Sequence, residues 1–173
     1  MMDRLARLSA GGTPINSFQQ QPKAPAAYRK ENTPMASTHT SPRDVVFPPG
    51  RQALYEKNRY SPAIRSNGFL FVSGQVGSRP DGSPEPDYQA QVRLAFDNLN
   101  AILQAAGCTF DDVIDVTVFM VDPEKHFEAA WEVVGEYWGN APHPTLTGIG
   151  VTWLYGFQFE IKVIAKLPEG VRR

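Results

Sequence analysis

The sequence predicts an α+β domain over residues 44–168, a mixed sheet with two helices on one face and elements in the order β-β-α-β-α-β-β. Two observations carry this reading. Two segments place apolar residues at helical spacing, and short β-branched or aromatic runs bounded by Gly, Pro and Asn lie around them. A third sets the boundary: the first 43 residues show neither periodicity.

Ser66-Asn67-Gly68 is a turn signal between residues 60–65 and the run Phe69-Leu70-Phe71-Val72-Ser73, so these form a hairpin. Residues 79–86 are a Gly/Pro-rich loop. Asp87 then caps a long helix in which Val92, Ala95, Phe96, Leu99, Ile102 and Leu103 recur on one face, and Gly107 ends it. Residues 113–121 read as a strand. Asp122-Pro123 offers an N-cap and an N1 proline for a second helix, with Phe127, Ala130, Trp131, Val134 and Trp138 along one side and Gly139 and Pro142 as stops. Two strands follow, near 145–152 and 157–166, with a turn near Gly156. The passage from 69 to 121 is expected to be a right-handed crossover joining parallel neighbours.

The second face of the sheet is informative. Both alternating sets in the Phe69 run are apolar, and Val116, Val118 and Met120 compete with Phe119 and Val121. A sheet with one solvated face alternates apolar with polar. Helices of this chain cover one side only, so either a second copy or loops cover the other.

Composition excludes several classes. With 17 basic and 18 acidic residues in 173 and no run of like charge, there is no electrostatic footprint for nucleic acid or an anionic membrane. No apolar stretch approaches a bilayer span. Cys108 is the only cysteine, which rules out an internal disulfide and fits a reducing compartment, the cytoplasm. Residues 1–43 are rich in Pro, Ser, Thr, Gln and Ala and are expected to be disordered. Two other readings of them stand. Arg4, Leu5, Arg7 and Leu8 would open an organellar transit peptide, against which Asp3 and Glu31 count; Met35-Ala36-Ser37 has the form of a natural start. No secretory signal is evident. Residues 169–173 form a short tail.

Several chemical motifs fail on inspection. Asp81, Ser83, Glu85 and Asp87 have calcium-loop spacing, but the sixth-position glycine and twelfth-position glutamate are missing. His126 and Glu128 lack a second histidine on their face, His39 lies in the extension, and His143 sits among prolines on a loop. No phosphate-cradling, dinucleotide or nucleophile-elbow glycine pattern is present. Cys108 reads as a small buried hydrophobe. The final strand is more telling. It alternates Phe157, Phe159, Ile161, Val163 and Ala165 with Gln158, Glu160, Lys162, Ile164 and Lys166. If the apolar set meets the helices, Glu160 projects to the second face. There it is either a desolvated carboxylate able to activate a water or a partner for Lys162 or an adjacent strand.

Five segments resemble the RidA/YjgF family of reactive-intermediate deaminases. They are Tyr60-Ser61-Pro62-Ala63; Gly68-Phe69-Leu70-Phe71-Val72-Ser73-Gly74-Gln75-Val76; Gln91 with the helix through Asn98-Leu99; Leu103-Gln104-Ala105-Ala106-Gly107; and Phe159-Glu160-Ile161-Lys162-Val163-Ile164-Ala165. The resemblance implies a chorismate-mutase-like fold and a homotrimer with pockets between subunits. It also implies hydrolysis of small enamines and imines to a carbonyl and ammonia without a cofactor; from the charge balance, hydropathy and failed motifs above, no nucleic acid, membrane or metal partner is expected. The family's tyrosine, serine and glutamate match Tyr60, Ser73 and Glu160. Glu160 would position the water, Tyr60 would shape or polarise the pocket, and the segment containing Ser73 and Gly74 would supply hydrogen bonds.

Two family positions differ. Thr145 stands where an arginine grips the substrate carboxylate, and Trp131 replaces an asparagine. A charge-assisted pair of that kind contributes about 1.5–3 kcal/mol, or roughly 10- to 150-fold in affinity. The expectation is therefore a divergent subgroup acting on a less anionic, more aromatic substrate, with Trp131, Trp153 and Phe157 supplying aromatic surface. The rival is a non-catalytic ligand-binding or protein-interaction trimer of the same fold. Ribonuclease activity, also attached to family members, is disfavoured by the charge balance.

Overall fold

The structure, a computed structural model, describes residues 43–139 and 141–170. The disorder expected of the N-terminal extension concerns residues that, Arg43 apart, lie outside that range, as do the last three residues of the tail. The elements are β1 (Asp44–Val46), α1 (Gln52–Asn58), β2 (Ala63–Ser66), β3 (Phe69–Val72), β4 (Gln75–Val76), α2 (Tyr88–Ala106), β5 (Val113–Val121), α3 (Pro123–Val134), β6 (Thr145–Val151) and β7 (Phe159–Lys166). The α+β class with a mixed sheet holds, and all seven predicted elements are present. A third helix and two short strands join them.

The hairpin forms as the Asn-Gly signal requires: Asn67 and Gly68 take φ of 51° and 80°, and Ser66 pairs with Phe69. In α2 the Asp87 side chain accepts the Ala90 N–H at 2.9 Å, and Gly107 closes the helix with φ 79°. Its stripe of Val92, Ala95, Phe96, Leu99, Ile102 and Leu103 is fully buried against Leu70, Val72, Val116, Val118, Phe159, Ile161 and Val163. This is the core.

Strand order is β1-β2-β3-β7-β5-β6, with β4 also pairing with β7. The crossover expectation needs correction. β3 and β5 do run parallel, but β7 lies between them, antiparallel to both. The parallel neighbours are β5 and β6, joined through α3. Local patterning cannot show that the last strand inserts between two earlier ones.

The ends of α3 also depart from expectation. Asp122 holds φ 48° and makes no side-chain cap, so Pro123 starts the helix without it. The helix stops at Gly135 rather than Gly139. Beyond it, Tyr137 stacks on Phe96 at 4.5 Å and Trp138 meets the same ring edge-on at 6.0 Å. Packing on the core draws the chain off the helix axis. The buried face is Ala130, Val133 and Val134; Phe127 and Trp131 stack on each other at 4.8 Å on the exposed side, one turn apart.

α1 was not legible because only Tyr55 of its seven residues is buried, too little for a periodic signal. Arg59 closes it in the left-handed region at φ 60°.

The helix-free face carries one row of side chains through Val45, Ile64, Phe71, Ile164, Asp115 and Thr145, and another through Val76, Glu160, Phe119 and Ile149. Phe69 is 36% exposed and Phe71 46%, so no described loop covers these two side chains on that face.

Candidate functional site

Glu160 lies on this face in β7, opposite Val76 of β4 and Phe119 of β5. Its neighbours in β7, Phe159 and Ile161, enter the core, and the strand's alternation then forces the carboxylate outward. The side chain is half-buried and receives no hydrogen bond from any described residue. No ion pair joins it to Lys162, whose charge only moderates the outcome: desolvation pushes the Glu160 carboxyl above its ordinary value of 4.5. The simple surface-pair alternative is therefore not what the structure shows.

Gly74 sits directly against this carboxylate. A Cβ at that position would overlap the Glu160 side chain, so the close approach needs glycine. The segment is pinned from behind. Ser73 donates its hydroxyl to the Ser61 carbonyl at 2.7 Å and its N–H to the Pro62 carbonyl at 2.9 Å. Gln75, buried, donates its amide to the carbonyls of Ser73 and Gly74 at 2.8 and 3.1 Å and accepts the Tyr55 hydroxyl at 3.2 Å.

Tyr60 follows α1, and its ring meets that of Tyr55 edge-on at 5.2 Å. Burial raises the Tyr60 pKa, the charge of Glu160 raises it further, and Arg51 partly offsets both. The phenol thus stands within electrostatic reach of the carboxylate. Tyr60, Ser73, Gly74 and Glu160 come together in one chain.

Thr145 and Trp131 do not join them within one chain. Thr145 shares its row with Ile164, which is four residues from Glu160 along β7, about 13 Å at the usual strand rise. It lies two strands over, and its hydroxyl is held by Asp115 at 2.6 Å. Trp131 is on α3, stacked on Phe127. Trp153 and Tyr155, 63% and 81% exposed, pack with ring centroids 4.1 Å apart and planes tilted by 40° in the loop before β7. No group of three or more His, Cys, Asp or Glu side chains suited to a metal occurs among the described residues.

Sequence reasoning missed Arg51, Tyr55 and Ser61 as site components. Gln75 carried a signal, being part of the Ser-Gly-Gln segment. Arg51 and Tyr55 carried none, since their position depends on a helix too short to announce itself.

The fold recurs in known proteins. The profile of the endoribonuclease L-PSP family matches residues 50–167, most of the chain. The chain belongs to the RidA/YjgF family. The RutC family protein YjgH of Escherichia coli is 65% identical over 127 residues, covering 73% of this chain and 97% of that protein. The solved structure of YjgH superposes with a TM-score of 0.70 at 64% identity, covering 73% of this chain and 98% of YjgH. The crystal structure of E. coli TdcF with bound serine gives a TM-score of 0.57 at 33% identity, covering 62% of this chain and 87% of TdcF. The name of TdcF proposes it as a reactive intermediate deaminase.

Proposed function

We propose that the chain is a cofactor-independent hydrolase of small enamines and imines, a Rid-type deaminase of divergent specificity, with Glu160 as its base. The observation that carries this reading is a desolvated, unpaired carboxylate beside a glycine backbone and a phenol. Such a group holds a proton more readily than a surface glutamate and can take one from water near neutral pH. Water adds its oxygen to the C=N carbon as Glu160 removes a proton. Return of that proton to nitrogen gives a carbinolamine, and transfer of its hydroxyl proton to the amine then breaks the C–N bond, leaving a carbonyl and ammonia. Tyr60 flanks the reacting group. With the Ser73 hydroxyl and the Gln75 amide both donating internally, the Gly74 N–H is the donor in that segment left for the ligand.

We further propose that the chain works as a cytoplasmic homotrimer. The uncovered apolar face, with Phe69 and Phe71 exposed, supports this. Closure of one subunit on the next would also be the means of bringing the Thr145 end of one sheet to the Glu160 site of another. RNA is disfavoured as a substrate by the balance of 17 basic against 18 acidic residues.

The test is ammonia release from freshly generated 2-iminopropanoate and from neutral and aromatic imines, comparing wild type with Glu160→Ala. A rate that depends on Glu160 for any of these supports the hydrolase. Equal rates for the two proteins, alongside retained ligand binding, would favour the non-catalytic ligand-binding trimer instead.

A further inference from the structure

Four arginines among the described residues are partly buried. Three hold carboxylates: Arg65 pairs with Asp44 at 3.3 Å, Arg79 with Glu85 at 3.0 Å and Arg93 with Glu136 at 2.8 Å. Arg51 pairs with none of the described residues. A guanidinium withdrawn from water without an anion forgoes the interaction that best compensates its desolvation. It is nevertheless held in place. Its two terminal nitrogens donate to the hydroxyl and the carbonyl of Ser78, at 3.3 and 3.1 Å. Asn98 of α2 also donates to that carbonyl, at 3.2 Å, so the anchor is tied to the core helix.

Its location matters. Arg51 directly precedes α1, one turn before Tyr55, whose N–H donates to the Arg51 carbonyl at 3.4 Å. Tyr55 reaches Gln75, and the Tyr60 ring packs on Tyr55. Ser78 lies two residues beyond Val76, the β4 partner of Glu160. The guanidinium is thereby anchored two residues from the β4 position that faces Glu160, beside the helix on which the Tyr60 ring packs. Tyr60 feels both the carboxylate and the guanidinium, whereas the charge acting on Glu160 is that of Lys162.

We propose that Arg51 is the anion-binding group of this site, and that its ligand carries a carboxylate or similar anion several bonds away from the carbon presented to Glu160. The proposal rests on the Glu160 cleft being where the ligand binds. It deepens that reading by moving the positive charge from the β6 position, now Thr145, to the opposite flank. On this proposal a 2-imino acid, with its carboxylate on the adjacent carbon, does not engage both groups at once, and a longer imino or keto acid does. It also replaces the less anionic substrate expected from sequence with an anionic one of different length.

Binding tests this without needing turnover. Full-length protein is titrated calorimetrically with 4-oxopentanoate, a stable acid whose carbonyl and carboxylate are separated by two methylenes, with its methyl ester, and with pyruvate. Wild type should bind 4-oxopentanoate at least about tenfold more tightly than the ester or pyruvate, the range of one charge-assisted pair. Arg51→Gln, which keeps an amide able to reach Ser78, should bring acid and ester to within about twofold, and Arg51→Lys should keep part of the preference. No preference for the acid in wild type overturns the proposal. So does an acid-to-ester ratio unchanged in Arg51→Gln, or an equal weakening of both ligands in the Gln and Lys variants, which marks a purely structural arginine. Hydrolysis by wild type that is lost in Glu160→Gln, with the ratio indifferent to Arg51, would sink this inference and leave the hydrolase standing.

Discussion

Gly74 and Glu160 share a boundary with no room for a methyl group: a Cβ on residue 74 would fall on the Glu160 carboxylate. The contact joins the segment between β3 and β4 to the middle of the sheet. It makes the glycine a condition of where the acid can point.

Gly74→Ala should therefore displace the Glu160 side chain. Overpacking of this kind costs about 1–3 kcal/mol. Part of that cost is relieved if the carboxylate swings into solvent, so activity should fall further than stability. Paired urea melts and ammonia-release assays check this, and a variant with full activity would show that the contact is dispensable.

Glu160→Gln should separate stability from function. Burial raises the folded-state pKa above the ordinary 4.5, so between those two values the folded protein binds more protons than the unfolded chain. Stability from this group is thus present below about 4.5 and is lost as pH rises through the folded pKa. The amide, which never ionises, should make the protein more stable than wild type at pH 7 and leave little difference at pH 4. Activity should drop by about 10²- to 10⁴-fold, the usual contribution of a positioned base. Denaturant midpoints that fall at pH 7 would argue for a hidden partner of the carboxylate.

Tyr55→Phe removes one hydroxyl and leaves the buried Gln75 oxygen without its donor. A cost of about 1–3 kcal/mol is expected. Because the Tyr60 ring packs on Tyr55 and Gln75 holds the Gly74 carbonyl, catalysis should suffer as well. Replacing Gln75 by Met in the same background removes the orphaned acceptor and should recover part of the stability, but not the position of the Ser73–Gly74 carbonyls. Additive losses in the double mutant would refute the coupling.

Phe71→Glu places a charge on the uncovered sheet face. Sedimentation of the wild type should show a trimer, and the variant should shift to smaller species while keeping its helical signal. Thr145→Arg offers a linked test. A gain in 2-iminopropanoate turnover is expected in the oligomeric protein and should vanish in the Phe71→Glu background, because one chain holds Thr145 far from Glu160. A wild type that sediments as a stable monomer would remove the oligomer from the proposal.

Much of this protein is written locally. The stripe of α2, its Asp87 and Gly107 ends, the Asn67-Gly68 turn and the alternation that turns Glu160 away from the core follow from spacing and backbone chemistry within a few residues. So does the two-sided apolar character of β3. The resemblance added Tyr60, Ser73 and Gly74, which local patterns do not single out.

Only the tertiary structure decided which segments meet. β7, last in sequence, pairs between β3 and β5 and so sets Glu160 beside Gly74. α1, seven residues with one buried side chain, has no signature of its own, yet it sets Tyr55 on Gln75 and the Tyr60 ring against Tyr55. α3 loses its last expected turn to ring packing on Phe96. In each case the deciding energy is a contact between residues distant along the chain, and periodicity carries no information about those.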